Sequence, residues 1–62
     1  MKVFRATYAI SEDKVVLADK MGIDPITIDG VQYLPFFING EIVAIVETYD
    51  LTSITWEHPE EK

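Results

Sequence analysis

Residues 33–46 read Tyr-Leu-Pro-Phe-Phe-Ile-Asn-Gly-Glu-Ile-Val-Ala-Ile-Val, and this stretch decides the fold. Asn39-Gly40 is the strongest short-range signal for a two-residue type I′ turn, because both central positions of that turn need a positive φ. The sequence therefore predicts a hairpin here, and its strands are apolar on both faces. A hairpin with one face on a core and the other in water alternates apolar and polar residues. Here both sides call for burial, which a chain of 62 residues can hardly supply as a monomer. Either the hairpin curls into the wall of a tiny barrel, or its second face is a contact surface.

An unbroken ladder from the turn pairs Ile38 with Glu41, Phe37 with Ile42, Phe36 with Val43, Pro35 with Ala44, Leu34 with Ile45 and Tyr33 with Val46. Register then sorts the faces, since side chains alternate with a period of two. Leu34, Phe36, Ile38, Val43 and Ile45 make the expected inner face. Tyr33, Pro35, Phe37, Ile42, Ala44 and Val46 make the outer one. Pro35 lacks an N–H, so it belongs where no ladder bond is needed. In this scheme it turns that missing donor away from strand 41–48 and toward Ile26–Ile28, level with Asp24-Pro25.

Upstream, Ile26-Thr27-Ile28 runs into Asp29-Gly30, a second type I′ signal, so 26–48 reads as a three-stranded meander. Residues 2–10 alternate, with Phe4, Ala6, Tyr8 and Ile10 on one side, as a strand with one buried face does. Residues 11–22 read two ways. Ser11 suits a helix N-cap and Gly22 a helix end. As a helix, however, Val15, Val16, Leu17, Ala18 and Met21 spread around the whole wheel and leave no polar face. A strand over Lys14–Ala18 is the favoured reading. Tyr49–Thr52 reads as a turn or one helical turn, Ser53–Trp56 as a short last strand, and residues 59–62 as a solvated acidic tail. The expected architecture is all-β, a single domain over 1–58 of five antiparallel strands in a rolled sheet or SH3-like barrel. The alternative is α+β, with one helix at 12–21 on an antiparallel sheet.

Composition narrows the function classes. There is no cysteine, which excludes disulfides and thiolate metal sites, and one histidine, His58. No run approaches the ~20 apolar residues of a membrane-spanning helix. The start, Met1 to Arg5, meets Glu12 and Asp13 without an apolar core segment and cleavage site, so neither a signal peptide nor an anchor is expected and a cytoplasmic setting is. Residues 1–20 carry Lys2, Arg5, Lys14 and Lys20 against Glu12, Asp13 and Asp19. Residues 21–61 hold eight carboxylates and no lysine or arginine. Direct binding to a phosphate backbone is disfavoured, whereas a basic protein is a plausible partner.

No catalytic motif is present. A triad from Ser11 or Ser53 would need His58, which stands in a proline-bounded polar segment. Gly22, Gly30 and Gly40 match no phosphate or dinucleotide loop, and each is accounted for by a turn. No calcium loop occurs, and no cofactor is implied. The expectation is a non-enzymatic protein–protein interaction module that self-associates as a homo-oligomer, an acidic regulator of a basic, nucleic-acid-handling protein such as a phage or mobile-element accessory protein. Its expected contact surface is Tyr33, Phe37, Ile42, Val46, Tyr49 and Trp56, since exposed aromatics anchor interfaces. The rivals are a small enzyme or ligand-binding barrel using carboxylates at a subunit interface, and a structural subunit of a larger assembly.

Overall fold

A computed structural model describes residues 1–59, and its elements are all strands: β1 (Lys2–Tyr8), β2 (Lys14–Ala18), β3 (Lys20–Met21), β4 (Ile26–Ile28), β5 (Val31–Ile38), β6 (Glu41–Glu47) and β7 (Leu51–Glu57). Every ladder is antiparallel. The all-β expectation holds, and the alternative helix at 12–21 is corrected. Lys14–Ala18 pairs with β1 along its length, from Ala6 opposite Lys14 to Lys2 opposite Ala18. Val15, Val16 and Leu17 have no polar face to offer as a helix, and a pleated strand accommodates their branched side chains.

One sheet has the order β2-β1-β7, and the other places β5 between β6 and an edge made of β3 and β4. The chain passes between them at a single residue, Asp19. Its N–H donates to the Phe37 carbonyl at 2.8 Å, and its own carbonyl accepts from Lys2 Nζ at 3.0 Å. Followed through Asp19, the strands run β7, β1, β2/β3, β5, β6, a rolled sheet whose lips are β6 and β7. Among the described residues no ladder joins those lips, and none of the described elements is a helix able to cross a membrane.

Both two-residue turns form as their sequences dictate. Asp29 and Gly30 have φ of 52° and 80°, Asn39 and Gly40 have 52° and 79°, and these are left-handed at both central positions as type I′ requires. The meander from Ile26 to Glu47 follows. The Gly22 N–H donates to the Pro35 carbonyl at 2.8 Å, so the missing N–H of Pro35, which shares that side of the strand, points away from β6. Ladder pairing resumes at Ile26 opposite Tyr33, past Pro25.

The register is where the unbroken ladder fails. Ile38 pairs with Glu41 and Phe37 with Ile42, but Phe36 pairs with Ala44, Pro35 with Ile45, Leu34 with Val46 and Tyr33 with Glu47. Val43 is an extra residue, a β-bulge, and beyond it every β6 side chain changes face. Val46, expected outside, is 5% exposed in the core, and Ile45, expected inside, is 38% exposed. Val43 itself faces solvent. A second bulge at Thr52 shifts the β1–β7 ladder, so that Tyr8 pairs with Leu51 and Thr7 with Ser53. The last strand consequently starts at Leu51 rather than Ser53, and β1 ends at Tyr8, leaving Ile10 exposed.

The core is small: Phe4, Ala6, Tyr8, Ala18, Phe36 and Val46, ringed by Val16, Met21, Leu34, Ile38, Ala44, Leu51 and Ile54. Phe4 and Phe36 meet edge to face, with ring centroids 5.1 Å apart, and this contact joins the two sheets. The Tyr8 hydroxyl donates to the Glu47 carbonyl at 2.6 Å, which satisfies the one polar atom brought into the core by β1.

Two measurements follow from this packing. Val46→Asp places an unpaired carboxylate in the core and should unfold the chain by far-UV circular dichroism, while Ile45→Asp should leave it folded; the reverse result would restore the unbroken register. Burial first, and then the Glu47 and Asp50 carboxylates, push the Tyr8 phenol above its ordinary value. A raised folded value favours the protonated form, so this contribution is complete below about pH 10 and is lost as pH rises through the folded value. Urea unfolding should show a steeper alkaline loss of stability in the parent than in Tyr8→Phe. The variant should also be about 1 kcal/mol less stable at neutral pH, for want of the hydrogen bond.

Candidate interaction surface

The outer face of the β3/β4-β5-β6 sheet carries exposed apolar side chains, Ile42, Val43 and Ile45. Alternation places Tyr33, Pro35 and Phe37 of β5 on this face, with Ile26 and Lys20 beside them and Ile45 and Glu47 opposite on β6. Because the bulge doubles β6 at one ladder position, Ile42 and Val43 are both solvent-exposed there, Ile42 to 52%. Tyr33 and Phe37 are half-buried and Pro35 is buried. Pro35 and Phe37 lie against the edge strand at Gly22.

That edge is held close by Gly22. A Cβ at this position would lie 2.8 Å from Pro35 Cγ and 3.0 Å from Phe37 Cε1, so only glycine lets the backbone press against the two rings. Lys20 lies at one end of the face with Nζ 5.9 Å from the Phe37 ring centroid, at the outer limit of a cation–π contact. Acidic groups supply the polar rim, Glu47 on the face and Asp24 and Asp29 in the loops flanking β4. The face is thus apolar in the middle and charged at its border, the arrangement found at protein interfaces.

The six residues expected to form one surface are divided by the fold. Tyr33, Phe37 and Ile42 stand together on the outer face. Val46 is corrected to the core, because the Val43 bulge turns it inward, and Ile45 takes its place. Tyr49 is 75% exposed on the β6–β7 turn, where with Thr27, Gly30, Val31, Gln32, Glu47 and Thr48 it lines an open groove of about 550 Å³. Trp56 belongs to the other sheet. It pairs with Phe4 at the β7 lip and is 51% exposed, with Lys2 Nζ 4.9 Å above its ring and His58 edge-on at 5.4 Å.

Sequence reasoning missed two carboxylates that brace the turns at the two ends of β6. Asp50, in a left-handed conformation at φ 53°, accepts the Ile10 and Ser11 N–H groups on Oδ2 at 2.9 and 3.3 Å, and its carbonyl accepts the Ala9 N–H at 2.9 Å. Asp19 Oδ2 accepts the Asn39 N–H at 3.2 Å and fixes the β5–β6 turn. Aspartate's habit of bonding nearby backbone in turns is the only signal the sequence carries for either. Among the described residues no three His, Cys, Asp or Glu side chains converge as a metal site would need.

Comparison with family models, with curated proteins and with solved structures returned no match.

Gly22→Ala tests the close approach beneath Pro35 and Phe37. Where the site has room, a Gly-to-Ala change stabilises by about 0.4–1 kcal/mol through the unfolded state. Here the added methyl meets a proline ring, and urea unfolding should show a loss of about 1–3 kcal/mol instead.

Proposed function

We propose that this chain is a non-enzymatic protein–protein interaction module that self-associates through the outer face of the β3/β4-β5-β6 sheet. The observation that carries the reading is the apolar outer surface on which Ile42, Val43 and Ile45 are exposed beside the half-buried Tyr33 and Phe37. A second copy, packed sheet on sheet at about 10 Å, would remove those side chains from water in the way a sandwich core does. The incentive is large because the intramolecular core has so few members, and large exposed apolar patches mark contact sites. The module is assigned the cytoplasmic setting that the sequence leads one to expect.

Light scattering coupled to gel filtration should find an oligomer at high micromolar concentration. Ile42→Glu, at an exposed position away from the core, should weaken association by tenfold or more, equivalent to about 1.4 kcal/mol, with the circular dichroism spectrum unchanged. A parent chain that stays monomeric at that concentration would refute the reading.

A further inference from the structure

Among the described residues, the ladder positions of the outer face hold two charged side chains, and these stand at opposite corners. Lys20 lies on the β3 edge opposite Phe37, and Glu47 lies on β6 opposite Tyr33. Residues directly opposite in a ladder point to the same side, so both charges share the face with those rings. Both are exposed. They are separated by the width of β5 and by four residues along it, about 16 Å from corner to corner, too far to pair within one chain. The ion pair found among the described residues is instead Arg5 with Asp13, at 3.6 Å. The other two corners are apolar, Ile42 of β6 opposite Phe37 and Ile26 of β4 opposite Tyr33.

This pattern discriminates between the ways a second copy can cover the face. A closed dimer has a two-fold axis, which for two stacked sheets lies in the plane between them. An axis along the strands sets Lys20 on the second copy's Ile42 and Glu47 on its Ile26. An axis across the strands sets Lys20 on Ile26 and Glu47 on Ile42. In both, every charge meets an isoleucine and gains no partner. An axis along the diagonal from Lys20 to Glu47 sets like on like at both corners, which is repulsive. The axis perpendicular to that diagonal remains. It brings Lys20 of each copy to Glu47 of the other, twice, and keeps the isoleucine corners against apolar neighbours near the axis. The strands of the two sheets then cross at about 70°, in the orthogonal class of sheet packing. The bulge at Val43 suits that class, because a bulge raises the local twist.

We propose that the occupant of the outer face is a second copy of this chain, in a two-fold, near-orthogonal sandwich held in register by Lys20 of each copy on Glu47 of the other. The proposal rests on the self-association argued above and adds its geometry. Apolar contact supplies the affinity. The two rim pairs select this arrangement over the three other axes.

Two single variants test it, Lys20→Glu and Glu47→Lys, each at an exposed position, with folding checked by circular dichroism. Alone, each variant sets like charges at both rim contacts and should dimerise about tenfold or more weakly than the parent in analytical ultracentrifugation. Mixed in equal amounts, the two should form a heterodimer about as tight as the parent dimer, because both contacts then join opposite charges. Net charge alone would rank the mixed dimer between the two homodimers, since one variant is more acidic than the parent and the other less. That intermediate rank would overturn the proposal, as would a Glu47→Lys chain that dimerises as tightly as the parent. Glu47→Gln gives a second reading that does not depend on charge reversal. The parent dimer should weaken as salt is added, and this variant should lose most of that dependence; an unchanged dependence would again overturn the proposal. A parent that stays monomeric refutes self-association and this geometry with it, whereas a parent dimer with an intermediate mixed species refutes the geometry alone.

Discussion

The edge-to-face contact of Phe4 with Phe36 is what the rest of the molecule is arranged around. One ring comes from each sheet, and Phe36 is fully excluded from water. Ala6, Ala18 and Ala44 surround the pair, and their small size lets the two backbones close down on it. A larger residue at Ala18, which has no exposed surface, would force the sheets apart and break the aromatic contact. With so few fully buried side chains the molecule has little redundancy. Polar brackets therefore take a share of the stabilisation: Tyr8 on the Glu47 carbonyl, Asp50 on the end of β1, and Asp19 on the β5–β6 turn.

The cationic residues are used inwardly. Lys2 lies over Trp56, Lys14 over Tyr8 and Lys20 over Phe37, each flanking an aromatic ring that is only partly protected or stands at an end of the core. Arg5 pairs with Asp13 at the surface, where such a bridge contributes at most about 1 kcal/mol. Among the described residues Asp24, Asp29, Glu41 and Glu47 are exposed, and the ion pair found is that of Arg5 with Asp13. The acidic half of the sequence thus becomes an acidic sheet rim and edge in space.

Much of the fold was legible because it is encoded locally. Two left-handed turn pairs, a proline that can stand only where no donor is needed, and alternation in residues 2–8 specify the meander and the first strand without tertiary information. The bulges were not legible. Whether Val43 pairs or stands alone depends on how tightly β6 must curl over the aromatic contact, and nothing in Glu-Ile-Val-Ala-Ile-Val announces it. That single uncounted residue moved Ala44 and Val46 to the core side and Val43 and Ile45 out, so the outer face was foreseen as a surface but with two members wrong. Trp56 and Tyr49 were separated from it for a related reason: their place depends on which sheet the last strand joins, a long-range choice to which local pattern is blind. Asp19 and Asp50 looked like ordinary solvated acids because their partners lie about twenty and forty residues away in sequence.

The passage of the chain between sheets at Asp19 has a consequence for how the molecule comes apart. Its N–H belongs to the ladder with β5, its carbonyl holds Lys2 of β1, and its carboxylate holds the tip of the β5–β6 hairpin. No slack exists there for one sheet to fray while the other persists, since Ala18 is still paired with Lys2 when Asp19 has already bonded to Phe37. The two sheets are therefore expected to open as one cooperative unit, with closely similar hydrogen-exchange opening free energies for their interior amides.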